Sequence, residues 1–339
     1  MRAAIFEGVG KPLSIQTVAD PTPAPDQVIL TVENAGICGS DLHMSEGEHT
    51  PAGLILGHEF AGTIAAVGSA VTGWKAGDRV TALPLNACNS CDACDQGLPA
   101  LCSETLFTGC YLNAQGAYAQ YVAARGSMLQ RLPDGVSFEE GAMVEPLAVG
   151  HHIVGMAEMP RGASVLVLGG GPIGAAVALF ARHAGARDVI VSEMSESRRA
   201  RAMDVGATAV IDPRKEDVLE AFRKATGKAR PSVVFECVGL PGMMRQAVDF
   251  AAVRGRVVIA GVVFQEDTLA PIAALGKEVT IRFSQAYTES DFAAVIDALA
   301  RREVDTQPLH TATVSLDELP EAFEALRKPT TQCKVLIKP

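Results

Sequence analysis

Ser164-Val-Leu-Val-Leu-Gly-Gly-Gly-Pro-Ile-Gly174 is followed at once by a helix-like apolar pattern over residues 175–184. The run that ends at Leu168 is typical of a strand buried on both faces of a parallel sheet. The next six residues fit G-x-G-x-x-G between a strand and a helix, where glycines permit a tight turn and let a pyrophosphate approach the helix N-terminus. We therefore predict a dinucleotide site, with cofactor contacts from Gly169, Gly171, Pro172, Ile173 and Gly174.

The second strand of this half, residues 188–192, is followed directly by Glu193. An acidic side chain at this point accepts hydrogen bonds from the adenosine ribose and repels a 2′-phosphate, so the sequence favours NAD over NADP. Arg198 and Arg199 follow closely and could serve a phosphate. An NADP-preferring protein is therefore the alternative.

Strand and helix patterns continue to alternate beyond Glu193, which makes six strands, the number of a complete doubly wound dinucleotide sheet. Val238 and Gly261 lie in loops at strand C-termini, where a nicotinamide ring would sit. The further predicted strands are 209–211, 232–236, 256–260 and 278–282, and the helices are 215–226, 243–252 and 291–302.

The N-terminal half has many short strand patterns separated by glycine, which predicts a small, mostly antiparallel barrel. Cys38 follows a strand on a Gly-flanked loop, and His58 and Glu59 open another strand. Thiolate, imidazole and carboxylate all bind zinc, and three protein ligands with an open fourth position describe a catalytic site. A buried free cysteine with a satisfied histidine is the alternative interpretation.

Four cysteines fall within fifteen residues, at Cys88, Cys91, Cys94 and Cys102. Four thiolates at chelating spacing close a tetrahedral shell around zinc and leave no position for a substrate, so this metal would be structural.

A helix is predicted to start after Pro133-Asp-Gly135, because Ser137 and Glu140 fit a capping box. Glu145 lies in an otherwise apolar part of this helix, and an unpaired buried carboxylate is costly. A metal or its bound water would compensate the charge. The sequence leaves open whether Glu145 or Glu59 is the direct third ligand.

The bulk composition limits the classes of function. The 339 residues are 48% hydrophobic and predict two domains, and the net charge of −10 argues against nucleic acid and anionic membranes as partners. We expect no membrane span and no signal peptide, and hence the cytoplasm, where clustered cysteines favour metal over disulfides.

Gly57-His-Glu59 with Gly62, Gly68 and Val71 resembles the zinc signature of the medium-chain dehydrogenase/reductase superfamily, the zinc alcohol and polyol dehydrogenases. The resemblance implies a GroES-like catalytic domain over 1–147 with a structural zinc lobe at 86–104, a Rossmann NAD-binding domain over 148–284, and a return to the catalytic domain over 285–339. It also implies a homodimer or homotetramer.

The resemblance assigns roles around the Cys38 site: Ser40 takes a proton from the alcohol, His43 passes it to solvent, and Asp41 orients His58. Arg198 would pack by the adenosine ribose. The implied reaction is hydride transfer between NAD and a secondary alcohol, diol or polyol, or the matching ketone. The passage 284–292 is more similar to butanediol-type than to sorbitol-type dehydrogenases. The alternative of another class is a non-catalytic zinc- and nucleotide-binding module.

Overall fold

The computed structural model describes residues 1–328 and 330–339, which divide into two compact units. The first unit comprises residues 1–145, 288–302 and 310–339, and the second comprises residues 146–287 and 303–309. The C-terminal segment therefore belongs mostly to the first unit, with a short excursion into the second.

Strands and helices are numbered in chain order. The strands are β1 (Arg2–Ile5), β2 (Ser14–Thr17), β3 (Gln27–Gly36), β4 (Glu59–Val67), β5 (Arg79–Ala82), β6 (Leu85–Asn86), β7 (Leu106–Phe107), β8 (Tyr121–Arg125), β9 (Leu129–Arg131), β10 (Ser164–Leu168), β11 (Asp188–Ser192), β12 (Ala209–Ile211), β13 (Val233–Glu236), β14 (Arg256–Ile259), β15 (Thr280–Phe283), β16 (His310–Ser315) and β17 (Lys334–Lys338). The helices are α1 (Gly39–Glu46), α2 (Asp92–Asp95), α3 (Phe138–Met156), α4 (Pro172–His183), α5 (Glu196–Asp204), α6 (Val218–Thr226), α7 (Met243–Phe250), α8 (Pro271–Leu275), α9 (Glu289–Ala300) and α10 (Leu319–Ala325). Across residues 1–328 and 330–339, a helix with the length and apolar character to cross a membrane is absent.

The second unit contains the predicted six-stranded parallel sheet, in the order β12-β11-β10-β13-β14-β15. Its central strand β10 is buried along its whole length, as a continuous apolar run requires. The strand order reverses between β10 and β13, and such a switch point is where doubly wound sheets bind ligands. The prediction of a doubly wound sheet is confirmed.

The first unit is built on a mostly antiparallel seven-stranded sheet, in the order β16-β17-β3-β4-β5-β9 with β8 paired to β3. In the part of this sheet that the structure describes, β16 and β17 are the only neighbouring strands that run parallel. One face packs on a core that includes Phe60, Tyr118 and Phe323. The predicted mostly antiparallel architecture is confirmed.

Cys38 lies on the short connection between β3 and α1, as predicted, and it is also the N-cap of α1, a helix that the sequence pattern did not predict. The Asp41 carboxylate accepts a hydrogen bond from the Cys38 backbone N–H at 3.0 Å, as in a capping box. The helix has eight mostly polar residues, so it has no apolar periodicity that a sequence pattern could reveal. Ser40 and His43 are thereby placed on a helix.

Capping side chains also explain two further helix starts. Ser137 and Glu140 form the predicted capping box before α3, with bonds of 2.8 and 3.1 Å. The helix predicted to begin at residue 215 begins at Val218, because the Asp217 carboxylate accepts the Glu220 N–H at 2.8 Å.

Candidate functional site

The end of β3, the start of α1 and the start of β4 bring three possible metal ligands together. The Cys38 sulfur, a ring nitrogen of His58 and a carboxylate oxygen of Glu59 all lie within 4.8 Å of one another. His58 and Glu59 are buried, whereas Cys38 is partly accessible. Residues twenty positions apart in sequence therefore form one compact donor set.

Asp41 is fully buried beneath this donor set and contacts His58, Tyr118 and Cys38. Its Oδ1 lies 3.4 Å from His58 Nδ1, an electrostatic contact without hydrogen-bond alignment. Its Oδ2 accepts the Tyr118 hydroxyl at 2.6 Å and the Cys38 N–H at 3.0 Å. Burial opposes ionisation of Asp41, but His58 and these hydrogen bonds outweigh it and lower its pKa.

Negatively charged neighbours act on the imidazole of His58. Burial alone would lower the pKa of the imidazole, but the charges of Asp41 and Cys38 outweigh burial and raise that pKa well above its ordinary value. Buried anions that lack a compensating cation are costly. The donor set therefore favours a bound positive charge.

Glu59 has a cationic partner from the far end of the chain. Lys334 Nζ, at the start of β17, donates to both Glu59 carboxylate oxygens at 2.6 and 2.7 Å, and both side chains are buried. Burial would lower the pKa of Lys334, but Glu59, followed by Cys38 and Glu145, raises it. A Cβ at Gly36 would lie 2.0 Å from Glu59 Oε2, so only glycine leaves room for the carboxylate.

Glu145 lies in α3 and is buried, yet it is outside the group of three possible ligands. Its charge contributes to the raised pKa values of Lys334 and Cys110. Of the two candidate carboxylates, Glu59 is the one that the structure groups with Cys38 and His58.

Ser40 and His43 lie three residues apart on α1, and both are exposed. His43 Nδ1 lies 2.8 Å from the Gly39 carbonyl oxygen. Because a carbonyl only accepts, Nδ1 carries the proton in this contact, and Nε2 of a neutral ring is then a proton acceptor.

The four clustered cysteines also meet, around the short helix α2. Their sulfur atoms all lie within 4.8 Å of one another, with separations of 3.9 Å for Cys88 and Cys94, 3.7 Å for Cys91 and Cys94, and 3.5 Å for Cys88 and Cys102. A tetrahedron with Zn–S bonds of about 2.3 Å has S···S edges of about 3.8 Å. All four are free thiols, and their geometry fits a zinc ion.

The surroundings of Cys88 and Cys94 give their thiols different pKa values. Hydrogen bonds from the Ser90 backbone and hydroxyl, and then from Cys102, lower the pKa of Cys88 to about 6. Partial burial, followed by the Cys91 thiol, raises the pKa of Cys94 to about 11. At least one thiolate is therefore present near neutral pH, and metal ligation favours the remaining deprotonations.

The glycine-rich turn joins β10 to α4. A Cβ at Gly174 would lie 1.9 Å from the Gly169 carbonyl oxygen, so this close strand–helix packing requires glycine. Gly171 is the N-cap of α4, Pro172 and Ile173 begin the helix, and a Cβ at Gly171 would meet nothing within 4 Å. The space above this helix N-terminus is open to a phosphate group.

Glu193 is fixed beside this turn by two backbone hydrogen bonds. Its Oε2 accepts the Gly170 N–H at 2.8 Å, and its Oε1 accepts the Ser195 N–H at 2.7 Å. Arg198 comes within 4.0 Å of Oε2 and is 40% exposed, whereas the side chain of Arg199 is only 13% exposed and lies 3.3 Å from Asp212. Arg198, which the resemblance places by the ribose, and Arg199 thus have different surroundings.

The loops after β13 and β14 are joined by the buried carboxylate of Glu236. Its Oε1 accepts the N–H groups of Val238 and Gly239 at 2.7 and 2.9 Å. A Cβ at Gly261 would lie 2.5 Å from its Oε2. Val238 and Gly261, predicted to lie at the C-terminal edge of the sheet, therefore both lie next to the Glu236 carboxylate.

Sequence reasoning missed Tyr118, Lys334 and Asp212 as parts of these sites. Tyr118 is 77 residues from Asp41, and Lys334 is 275 residues from Glu59. The available signal for Lys334 was weak: a charged residue at the start of an otherwise apolar strand.

The comparisons with known proteins cover the whole chain. The model of the alcohol dehydrogenase GroES-like domain matches residues 24–134, and the model of the zinc-binding dehydrogenase family matches residues 172–301. Sorbitol dehydrogenase of Bacillus subtilis is 32% identical, over 100% of this chain and 97% of that protein.

Two solved structures share the fold over nearly their entire length. The 2R,3R-butanediol dehydrogenase of Bacillus subtilis has a TM-score of 0.91 and 32% identity, covering 100% of this chain and 99% of the other. A protein of Sinorhizobium meliloti described as a zinc-binding dehydrogenase, bound to NADP, has a TM-score of 0.92 and 33% identity with the same coverage. The protein is thus an oxidoreductase with a GroES-like and a Rossmann-type unit, and it belongs to the zinc-dependent medium-chain dehydrogenase/reductase superfamily.

Proposed function

We propose that the protein is a zinc-dependent dehydrogenase that transfers hydride between NAD and a secondary alcohol, diol or polyol, or the corresponding ketone. The first unit would carry the zinc chemistry and the second would bind NAD. The observation that carries the proposal is the buried donor set of Cys38, His58 and Glu59 in a chain that also has a dinucleotide turn.

The donor set suits a catalytic zinc ion. Thiolate, imidazole and carboxylate are zinc ligands, and three of them leave one position for substrate. Since His58 Nδ1 faces Asp41, its Nε2 is the nitrogen that would bind the metal, with Asp41 as the partner that orients the ring. Glu145 would hold a water near the metal rather than bind it directly. Bound zinc would supply the Lewis acidity that lowers the pKa of an alcohol.

The chain's own residues would move the alcohol proton. Ser40 would accept the alcohol proton on its hydroxyl oxygen while releasing its own hydroxyl hydrogen, and His43, on the same face of α1, would accept a proton from this relay and pass it to solvent. The contact of His43 Nδ1 with Gly39 supports this role, because it leaves Nε2 to accept a proton. The nicotinamide would take the hydride.

The fixed carboxylate of Glu193 supports NAD as the preferred cofactor, because it would bond the ribose hydroxyls and repel a 2′-phosphate. Arg198 would pack by the ribose. A preference for NADP is the second candidate, which the NADP-bound relative of Sinorhizobium meliloti supports.

Sorbitol and butanediol dehydrogenases among the relatives support a polyol or diol substrate. Residues 284–292 lack the arginine that we expect in sorbitol-type enzymes, which favours a secondary alcohol or vicinal diol over a long polyol. We also propose self-association, as a dimer or tetramer. The edge strand β15 and the adjacent α8 support it, because their Phe283, Ile272 and Leu275 are each at least 67% exposed.

Purified protein with its zinc should reduce NAD when given a secondary alcohol or vicinal diol, observed as absorbance of reduced nicotinamide. The panel should contain secondary alcohols, diols, polyols and threonine, each with NAD and with NADP. We expect kcat/KM to be about tenfold or more higher with NAD, since a 2′-phosphate would face the Glu193 carboxylate. Silence with every substrate, in protein shown to retain zinc, would contradict the proposed reaction.

Cys91→Ser tests the proposed structural zinc in the four-cysteine lobe. Loss of one thiolate should remove about one zinc ion per chain and lower Tm by about 10 °C, because structural zinc contributes directly to folding free energy. Fluorescence of the single tryptophan, Trp74, reports the first unit. Cys333→Ser is the control outside the lobe. Loss of zinc with an unchanged Tm would argue against a structural role.

A further inference from the structure

Four cationic side chains surround the segment after β11, where the proposed ribose-binding carboxylate lies. Arg199 donates to the carbonyl oxygens of Glu193 and Met194 at 2.8 and 2.6 Å, and Arg214 donates to that of Met194 at 2.6 Å. Arg198 lies 4.0 Å from Glu193 Oε2. The fourth cation is Lys215, whose Nζ lies 3.8 Å from Asp212 Oδ2. Such a group of cations is the usual binding partner of a phosphate.

One buried carboxylate faces most of these cations. Arg214 makes hydrogen bonds of 2.9 and 2.8 Å to the two oxygens of Asp212, and its backbone N–H adds a third at 3.2 Å. Arg199 and Lys215 lie 3.3 and 3.8 Å from Asp212 Oδ2. Hydrogen bonds from Arg214 are the main reason why the pKa of Asp212 is far below its ordinary value, so the carboxylate is charged at every working pH.

Sheet register places this carboxylate beside Glu193. Ser192 at the end of β11 pairs with Ile211 at the end of β12, and the Glu193 N–H donates to the Ile211 carbonyl at 3.0 Å. The residue after each strand is therefore acidic, and both acids lie at the carboxyl edge of the same parallel sheet. Glu193 faces the glycine-rich turn, whereas Asp212 faces the arginines.

We propose that Asp212 is a specificity-determining residue of the cofactor site, which favours NAD by keeping Arg199 and Arg214 from a 2′-phosphate. The inference rests on the proposed dinucleotide site. Two acids would then act differently at one edge: Glu193 repels the phosphate directly, and Asp212 occupies the guanidinium groups that would otherwise bind it.

The more exposed member of the pair is Arg214. Its side chain is 57% exposed, and without the Asp212 carboxylate it keeps only one of the side-chain hydrogen-bond partners described, the Met194 carbonyl. Arg199 is held by two carbonyls as well and is nearly buried, so it would contribute charge rather than move. Removing the Asp212 charge leaves an uncompensated guanidinium within a few ångströms of the ribose-binding segment.

The test is Asp212→Asn, which keeps the side-chain volume and removes the charge. Calorimetric titration at low, constant ionic strength would compare ADP with 2′,5′-ADP, and kcat/KM would be measured with NAD and NADP. We expect 2′,5′-ADP to bind about tenfold tighter to Asp212→Asn than to the wild type, with little change for ADP. The NADP-to-NAD ratio of kcat/KM should rise by a similar factor. Adding Arg214→Ala should remove the gain.

Asp188→Asn is the matched control, because Asp188 is a carboxylate on the same sheet that holds Arg187 at 2.7 Å, at the opposite end of β11. Asp188→Asn should leave unchanged both the ratio of 2′,5′-ADP to ADP affinity and the NADP-to-NAD ratio of kcat/KM. An unchanged ratio in folded Asp212→Asn that still binds ADP would overturn the inference.

Arg214→Ala in the wild-type chain gives a second test if Asp212→Asn fails to fold. In the wild type, Asp212 already keeps Arg214 from a 2′-phosphate, so removing Arg214 should leave the preference for ADP over 2′,5′-ADP unchanged. A selective loss of 2′,5′-ADP binding would overturn the inference. A wild-type protein that binds neither nucleotide would instead reject the proposed function, and the inference with it.

Discussion

Cys38→Ser should lower kcat/KM by about 10³-fold or more, because a metal that polarises the substrate oxygen contributes several kcal/mol to the reaction and the Cys38 thiolate would be one of its three proposed ligands. Serine is a good N-cap, so α1 should still form. Binding of NADH, measured by its own fluorescence, should therefore persist while zinc content falls by about one ion per chain.

The control for this variant is Cys110→Ser. Burial raises the pKa of the Cys110 thiol to about 11, and the charges of His58, Asp41 and Cys38 also act on it, so it is a thiol of the same neighbourhood. Cys110 lies outside both possible ligand groups among the described residues. Its serine variant should keep zinc and turnover. Turnover retained by Cys38→Ser with one zinc missing would reject Cys38 as a ligand of the catalytic metal.

The contrast between these two thiols shows what a sequence can reveal. Cys38 and His58 are recognisable because ligand chemistry limits the residue types and because Gly57-His-Glu59 is a short local pattern. The four-cysteine lobe and the glycine-rich turn are local in the same way. Each motif carries its own signal, so the fold class could be predicted before the structure, and the donor set could be proposed from its residue types.

Contacts between residues that are distant in the sequence leave no such local signal. Asp212 is two residues from Arg214 in sequence, but its relation to Glu193 and Arg199 depends on the register of β11 and β12. The family resemblance assigned a ribose contact to Arg198, but the contact of Arg199 with Asp212 could not be foreseen, because neighbouring residues on a helix point in different directions and only the packed unit decides which one meets a carboxylate. The short helix α1 was missed for a different reason: its stability comes from Asp41 and tertiary packing, not from apolar periodicity.

Lys334→Met should destabilise the first unit by about 3–5 kcal/mol, the usual cost of removing one partner from a buried ion pair. Both carboxylate oxygens of Glu59 receive hydrogen bonds from Lys334, and Glu59 is fully buried. Oε2 packs against Gly36, where a Cβ would lie only 2.0 Å away. Urea unfolding followed by Trp74 fluorescence measures this unit, since Trp74 bonds the Gly126 carbonyl within it.

The double variant Lys334→Met/Glu59→Gln identifies the cause. If the cost arises from a stranded charge, neutralising Glu59 should recover most of it, and the double variant should be clearly more stable than the sum of the two single changes predicts. Additive costs would mean that Lys334 acts through packing alone. Zinc should also reduce the loss in Lys334→Met, because a cation at Cys38 and His58 would compensate the same carboxylate. A loss that is equal with and without added zinc would therefore argue that Glu59 does not face the metal, and would return the choice of third ligand to Glu145.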